Sequence, residues 1–239
     1  MKLSKLSSPT LKDLFVQQIQ DGIISGQLKI GDRLPSEREF SEQMQVSLTV
    51  VHSGLQELER RGFVRILPRK GAYVANYKKY GNAETLSALM EYTGGQMGNE
   101  TIRSILDIRK ITQLFITERV IQKATEEDFS RLGKLLADLA LSRSNEEVAA
   151  NIFKFWHEVC FISGDTIVPL AVYAFQSPIT TLWLRYCRLY GKEELIENTK
   201  TAYNLMVARD VEGSKAHAEF SVERCISGDR PLYFQVENE

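Results

Sequence analysis

The sequence predicts a mainly α chain in two parts: an N-terminal winged helix-turn-helix with a small β-hairpin, then an all-α bundle of six or seven helices. Three observations predict it. Three short helices with capping signals are followed, within about 65 residues, by two strand-like runs around a basic turn. From about residue 84 onward, apolar residues recur every three to four positions and no strand alternation of any length interrupts them. The charge is also divided: residues 1–79 hold 13 Lys/Arg against 8 Asp/Glu, and the remainder holds 17 against 23. A mildly basic first third on an acidic body suits a nucleic-acid-binding head, although a chance fluctuation of surface charge has the same look.

The first helix is expected over residues 10–25. Thr10 is its N-cap with Asp13 three residues on, and Leu11, Leu14, Phe15, Ile19, Ile23 and Ile24 form its apolar stripe. The segment SGQLKIGDRLP breaks it. Ser36-Glu-Arg-Glu39 is a capping box that opens a second helix ending near Gln45, with Phe40 and Met44 on its buried side. Ser47 caps a third helix, in which Val51, Leu55 and Leu58 point one way until Arg61-Gly62 stops it. Residues 63–67 and 72–75 are strand-like and flank the turn Pro68-Arg69-Lys70-Gly71. The tight link between the second and third helices lets the third project into a DNA major groove.

Residues 76–84, NYKKYGNAE, read as a linker. The domains are then 1–75, a winged helix-turn-helix, and 85–239, an all-α body. Helices in the body are expected near 84–93, 99–123, 126–143, 146–163, 167–190, 193–209 and 211–227. Ile102, Ile105, Leu106, Ile108 and Leu114, and later Leu132, Leu135, Leu136 and Leu139, keep the helical spacing. With 43% apolar and 26% charged residues the composition is that of an ordinary globular protein. No apolar run approaches the ~20 residues of a membrane helix, and the N-terminus lacks the apolar core of a secretory signal. Cys160, Cys187 and Cys225 lie far apart among apolar neighbours and read as buried thiols in a reducing compartment, so a cytoplasmic location is expected. No paired carboxylates, Cys/His pair or phosphate-binding glycine loop stands out, so an enzyme is not expected.

The stretch LPSEREFSEQMQVSLTVVHSGLQELERRGFV, with LFVQQIQDGIISGQLKIGDR upstream, resembles the DNA-binding domain of the GntR family of bacterial transcriptional regulators. More diffusely, ETLSALMEY, SILDIRKIT, NIFKFWHEVCFISGD and ARDVEGSKAHAEFS resemble the helical domain of its FadR-type subgroup. The resemblance implies a regulator that binds a double-stranded operator of two half-sites as a homodimer, with a helical domain that dimerises and binds an effector. It places Arg38 where family members contact DNA. A guanidinium there can grip a guanine edge or a phosphate, or it can pair internally with Glu42.

Ser47 and Thr49 open the recognition helix, and their hydroxyls and amides suit phosphate contacts. The FadR pattern carries arginines where this chain has Leu48 and His52. Leu48 can meet a thymine methyl. His52 can reach a base or pack on its own helix, so a different operator is expected. At the wing tip, Arg69 stands where the family often has glycine. Arg69, Lys70 and Gly71 suit a minor groove or its flanking phosphates, or they form a solvated turn.

Many FadR-type relatives hold a metal on an aspartate and three histidines. At those positions this chain has Ile152, Trp156, Thr199 and Ser221, so no metal and no cofactor is expected. The FadR regulators instead bind acyl-CoA, and Arg109 in LDIRK matches an arginine of their cavity. On a helix lined by Ile105, Ile108 and Ile111 it suits an anionic head group, an acyl-CoA or organic acid, or else a structural salt bridge. Arg109, Trp156, Thr199 and Ser221 are therefore the candidate effector residues. A body that only dimerises, binding no small molecule, is the alternative.

Overall fold

The computed structural model describes residues 9–92 and 99–232, without the side chains of 90 and 91. Residues 1–8 and 233–239, the outer ends of the two expected domains, lie outside the described residues. The chain divides into two compact units, Met1–Gly94 and Gly95–Glu239.

The first unit opens with helices α1 (Leu11–Ile24), α2 (Glu37–Met44) and α3 (Leu48–Arg60). Thr10 and Ser36 form full capping boxes with Asp13 and Glu39, and Ser47 caps α3 by accepting from the Val50 amide. Phe15, Val16, Ile19 and Ile23 of α1 are buried against Phe40, Val51, Leu55 and Leu58. Leu11 and Leu14, expected in the same stripe, are exposed instead, so the buried face of α1 turns toward Val16. Helix α1 lies close against α3 because residue 54 is glycine. A Cβ there would stand 2.3 Å from Cδ1 of Phe15, whose ring meets Phe40 edge-on at 5.3 Å.

Strands β1 (Val64–Leu67) and β2 (Gly71–Val74) pair antiparallel, with Leu67 opposite Gly71 and Val64 opposite Val74. The loop GDRL, read from sequence as a helix breaker, also adds along β2. The Gly31 and Leu34 amides donate to Val74 and Ala72 carbonyls, and the Val74 amide donates to Asp32, each at 2.9 Å.

The expected linker 76–84 is not irregular throughout. It holds a single helical turn, α4 (Tyr77–Tyr80), and leads into α5 (Ala83–Tyr92). Ala88 is buried in the core of the first unit, so the division between units falls at Gly94/Gly95 rather than before residue 85. The Thr85 hydroxyl donates to the Arg61 carbonyl at 2.6 Å and Asn82 Nδ2 to that of Arg60 at 3.0 Å, which ties α5 to the end of α3.

The second unit comprises α6 (Asn99–Lys123), α7 (Glu126–Ala140), α8 (Asn145–Ile162), α9 (Val168–Ala174), α10 (Gln176–Tyr190), α11 (Lys192–Val207) and α12 (Val211–Ile226). The single helix expected over 167–190 is two, broken at Phe175. Ile116, Val120, Phe129, Leu132, Phe155, Val159 and Met206 fill one core, and α12 packs along α6. On α6, Ile102 and Leu106 are buried, but Ile108 and Ile111 are 66% and 68% exposed. They therefore do not line the face that carries Arg109.

Candidate nucleic-acid interface and candidate effector cavity

The turn between α2 and α3 fixes how α3 is presented. Gln45 caps α2 in the left-handed region at φ 53°, the Val46 amide donates to the Ser41 carbonyl at 3.2 Å, and the Ser41 hydroxyl returns a bond to the Val46 carbonyl at 2.6 Å. With the chain so turned, Ser47, Leu48, Thr49 and His52 are all exposed, and Gln56 continues the same row one turn further on. Ser47 Oγ accepts from the Val50 amide at 3.3 Å, so its hydroxyl hydrogen remains to be donated. His52 is not packed on its own helix: its Nδ1 meets Glu37 Oε1 on α2 at 2.8 Å.

The described arginines of the first unit fall into two groups. Arg60 pairs with Glu57 and Glu84, and Arg61 pairs with Glu57 at 2.8 Å. The guanidiniums around Glu57, Arg60's above all, hold its carboxyl at about 2. Arg33, Arg38, Arg65, Arg69 and Lys70 are exposed and make no ion pair among the described residues. The internal pair open to Arg38, with Glu42, is thus not formed.

In the wing, Pro68 and Arg69 occupy the middle of a four-residue turn closed by the Lys70 amide on the Leu67 carbonyl at 3.0 Å. Arg69 sits at φ 63° and Gly71 at φ 100°. A turn with proline second and positive φ third favours glycine at the third place. The arginine is therefore held in a strained conformation, with its side chain exposed.

Arg33 was missed by the sequence reading. It bridges to Tyr73, and its guanidinium lies beside Gly71, 3.6 Å from where a Cβ would stand. Only the pairing of GDRL with β2, invisible to local pattern, puts it at the wing. Gln56 was missed as well, although its spacing of four from His52 was a usable signal. A recess of about 440 Å³ in the same unit, lined by Asp13, Asp21, Gln17, Gln20 and Arg61 among others, has an acidic lining that would repel phosphate.

In the second unit, Arg109 and Ser221 come together around a cavity of about 20 Å³, room for about one water. Tyr186, Asn198, Arg224 and Cys225 complete its lining with Leu195. Trp156 and Thr199 do not join it. Trp156 packs in the core that holds Phe155 and Val159, and the buried Thr199 hydroxyl bonds its own helix at Leu195, 2.9 Å away. A core position and an intrahelical bond were equally compatible with those residue types, and only the packing decides.

The Arg109 guanidinium has no hydrogen-bond or ion-pair partner among the described residues. Its guanidinium lies 5.7 Å from the centre of the Trp183 ring. Burial lowers its pKa, offset in part by Cys225 and Tyr186, and burial pushes the Tyr186 phenol up to about 12. Arg224 is held by Glu194 and Asp229, each at 2.7 Å.

The metal positions of the resemblance do not fit a cation. Ile152 offers no donor and Trp156 no lone pair, while the Ser221 hydroxyl donates at 2.6 Å to the His217 carbonyl. His157 stacks on Phe153 with Nε2 3.2 Å from the Pro169 carbonyl, and His217 Nε2 lies 3.0 Å from the Asn198 carbonyl. Among the described residues no three His, Cys, Asp or Glu side chains gather as a metal would need.

Residues 12–74 match the family model described as bacterial regulatory proteins, gntR family. Among curated proteins the chain is similar to the uncharacterised HTH-type transcriptional regulator YcbG of Bacillus subtilis, at 24% identity over 88% of this chain and 86% of that one. It is also similar to the HTH-type transcriptional regulator LutR of the same organism, at 27% identity over 53% and 55%. Among solved structures it resembles Lar, described as controlling expression of the Listeria monocytogenes agr system, with a TM-score of 0.63 at 12% identity over 92% of this chain and 97% of that one. That last likeness is one of fold.

Proposed function

The chain belongs through residues 12–74 to the gntR family of bacterial regulatory proteins and is a DNA-binding transcriptional regulator, and on that footing we propose how it binds DNA and what its body senses. The N-terminal end of α3, with Ser47, Leu48, Thr49 and His52, enters the major groove. Arg38 anchors α2 to a phosphate or guanine edge, and Arg69, Lys70 and Gly71 follow the adjacent minor groove. Arg33 joins the wing contacts. The observation that carries this reading is the set of exposed cations without carboxylate partners around an α3 whose first-turn hydroxyls face solvent. The opposite arrangement, cations consumed in internal pairs as Arg60 and Arg61 are, would have left nothing for phosphates.

One head reads only a few base pairs, so two heads act together. The second unit supplies the pairing surface: Ile108, Ile111 and Phe115 form an exposed apolar stripe on α6 at spacings of three and four. The same unit is the sensor. The Arg109 guanidinium, without a carboxylate partner and lying against the Trp183 ring, is stabilised by an incoming anion, and Asn198 and Tyr186 supply polar contacts. The cavity as it stands has room for about one water, so any anion enters only as the lining opens, and a small organic acid asks for far less opening than an acyl-CoA, whose tail needs several hundred Å³. Binding there shifts the relative populations of operator-competent and incompetent arrangements of the two heads.

Hydroxyl-radical footprinting on the chain's own upstream intergenic DNA tests the DNA reading. Two protected half-sites whose centres lie about one helical turn apart, or a multiple of it, are expected. A single patch or uniform protection counts against paired reading. The alternative of a body that only dimerises draws on the nearly closed cavity. A thermal-shift screen of small carboxylates separates the two, because a ligand specific to the folded body raises its melting temperature.

A further inference from the structure

The contact between His52 and Glu37 joins the second and third helices at the surface the DNA would meet. His52 Nδ1 lies 2.8 Å from Glu37 Oε1, and both side chains are open to solvent, at 55% and 43% relative exposure. A carboxylate can only accept, so the hydrogen in this contact belongs to Nδ1. A neutral imidazole whose Nδ1–H is so committed carries its lone pair at Nε2, on the far side of the ring. Nothing in the core requires the pair. Glu37 stands in the first turn of α2, whose cap is made by Ser36 and Glu39, and the buried contacts of α3 run through Val51, Leu55 and Leu58. Its cost is the ordering of two solvated side chains at the surface, where such a pair contributes little to stability.

We propose that Glu37 is a positioning residue for sequence readout: by taking the Nδ1 hydrogen of His52 it fixes the tautomer that presents Nε2 as an acceptor, so His52 selects a base with an exocyclic amine. In the major groove those bases are adenine, through N6, and cytosine, through N4. Guanine and thymine offer O6 or O4 acceptors that would face the Nε2 lone pair. The inference rests on the reading of α3 as the groove-entering helix, and it adds that one base choice is made by a residue of α2 that need touch no base itself.

The test is base preference, not affinity alone. Operator duplexes carrying each of the four bases at every half-site position are titrated against the full-length protein by fluorescence anisotropy at one fixed pH and salt concentration. The wild type is expected to favour adenine or cytosine at one position by roughly fivefold. His52→Ala should level that position and leave the others as they are. Glu37→Leu keeps length and helix position but offers no acceptor, so the ring hydrogen is no longer held at Nδ1. The preference at that position should then vanish or turn toward guanine and thymine, with the melting temperature unchanged.

A Glu37→Leu profile identical to wild type would overturn the proposal, and so would a His52→Ala profile with no levelled position. If the wild type shows no base preference at any position, the reading of α3 as a groove-reading helix fails and the proposal goes with it. The two failures are thereby told apart.

Discussion

Arg69 offers a prediction in which stability and DNA affinity move in opposite directions. The residue sits at φ 63°, third in a proline-containing turn. Left-handed backbone costs a non-glycine residue about 1–2 kcal/mol. Glycine removes that strain but loses about 0.5–1 kcal/mol through the greater freedom of the unfolded chain. Arg69→Gly should therefore stabilise the first unit by about 0.5 kcal/mol, a rise of roughly 2–4 °C in its melting temperature. Arg69→Ala keeps the Cβ and hence the strain, and should leave stability within about 0.5 kcal/mol of wild type.

On DNA the two variants should behave alike, because each removes the same cation. If Arg69 neutralises one phosphate per head, the slope of log K against log salt shrinks by about 0.9 per head, or about 1.8 for a pair. Calorimetry and anisotropy between about 50 and 200 mM salt measure both quantities. A glycine variant that melts no higher than the alanine variant would refute the strain argument, and an unchanged salt slope in both would remove Arg69 from the interface.

Gly54→Ala places a Cβ at 2.3 Å from Phe15, and overpacking of this kind costs about 1–3 kcal/mol. The helical unit should be unaffected, and Phe15→Leu in the same chain should recover part of the loss in a chemical denaturation series. Glu57 is held at about 2 by Arg60 and Arg61, below the ordinary carboxylate range. A depressed folded-state value contributes stability above the unfolded pKa that is lost as pH falls toward the folded one. The melting-temperature gap between wild type and Glu57→Gln should thus be full at pH 6–7 and shrink from about pH 5 down to about pH 2. Arg109→Met removes an unpaired buried cation while keeping apolar volume. The unliganded helical unit should hold or gain stability and lose any thermal response to carboxylates, whereas a fall of several degrees without ligand would show that Arg109 is structural.

The first unit was legible because its signals are local. Thr10 with Asp13 and Ser36 with Glu39 close as capping boxes, and Ser47 caps α3, all within four residues of sequence. The exposed row on α3 follows from the same arithmetic of turns. What escaped depended on distant partners. The pairing of residues 31–34 with β2, which brings Arg33 to the wing, carries no periodic pattern of its own. Nor does the capture of His52 by Glu37, fifteen residues away. The first compact unit runs on past the expected linker, with Ala88 of α5 buried in its core, and an alanine on a polar-looking helix gives little sign of that.

In the helical unit the element boundaries were readable from spacing, yet the faces were not. Ile108 and Ile111 read as core companions of Arg109 and are instead exposed, since an apolar residue does not announce whether its neighbour is a core or another surface. Trp156 and Thr199 were placed by alignment to a pattern of metal ligands. The pattern fixes a position along a helix, but the cavity is closed by other residues, among them Tyr186 and Arg224.

Anisotropy of the full-length protein on its own upstream intergenic DNA, beside a shuffled duplex of equal length and composition, tests most directly whether α3 and the wing read sequence. At physiological salt the native duplex should bind at least about a thousandfold more tightly, and Arg38→Ala should weaken it while the shuffled duplex stays weak. Equal affinity for the two duplexes, falling together as salt rises, would contradict it.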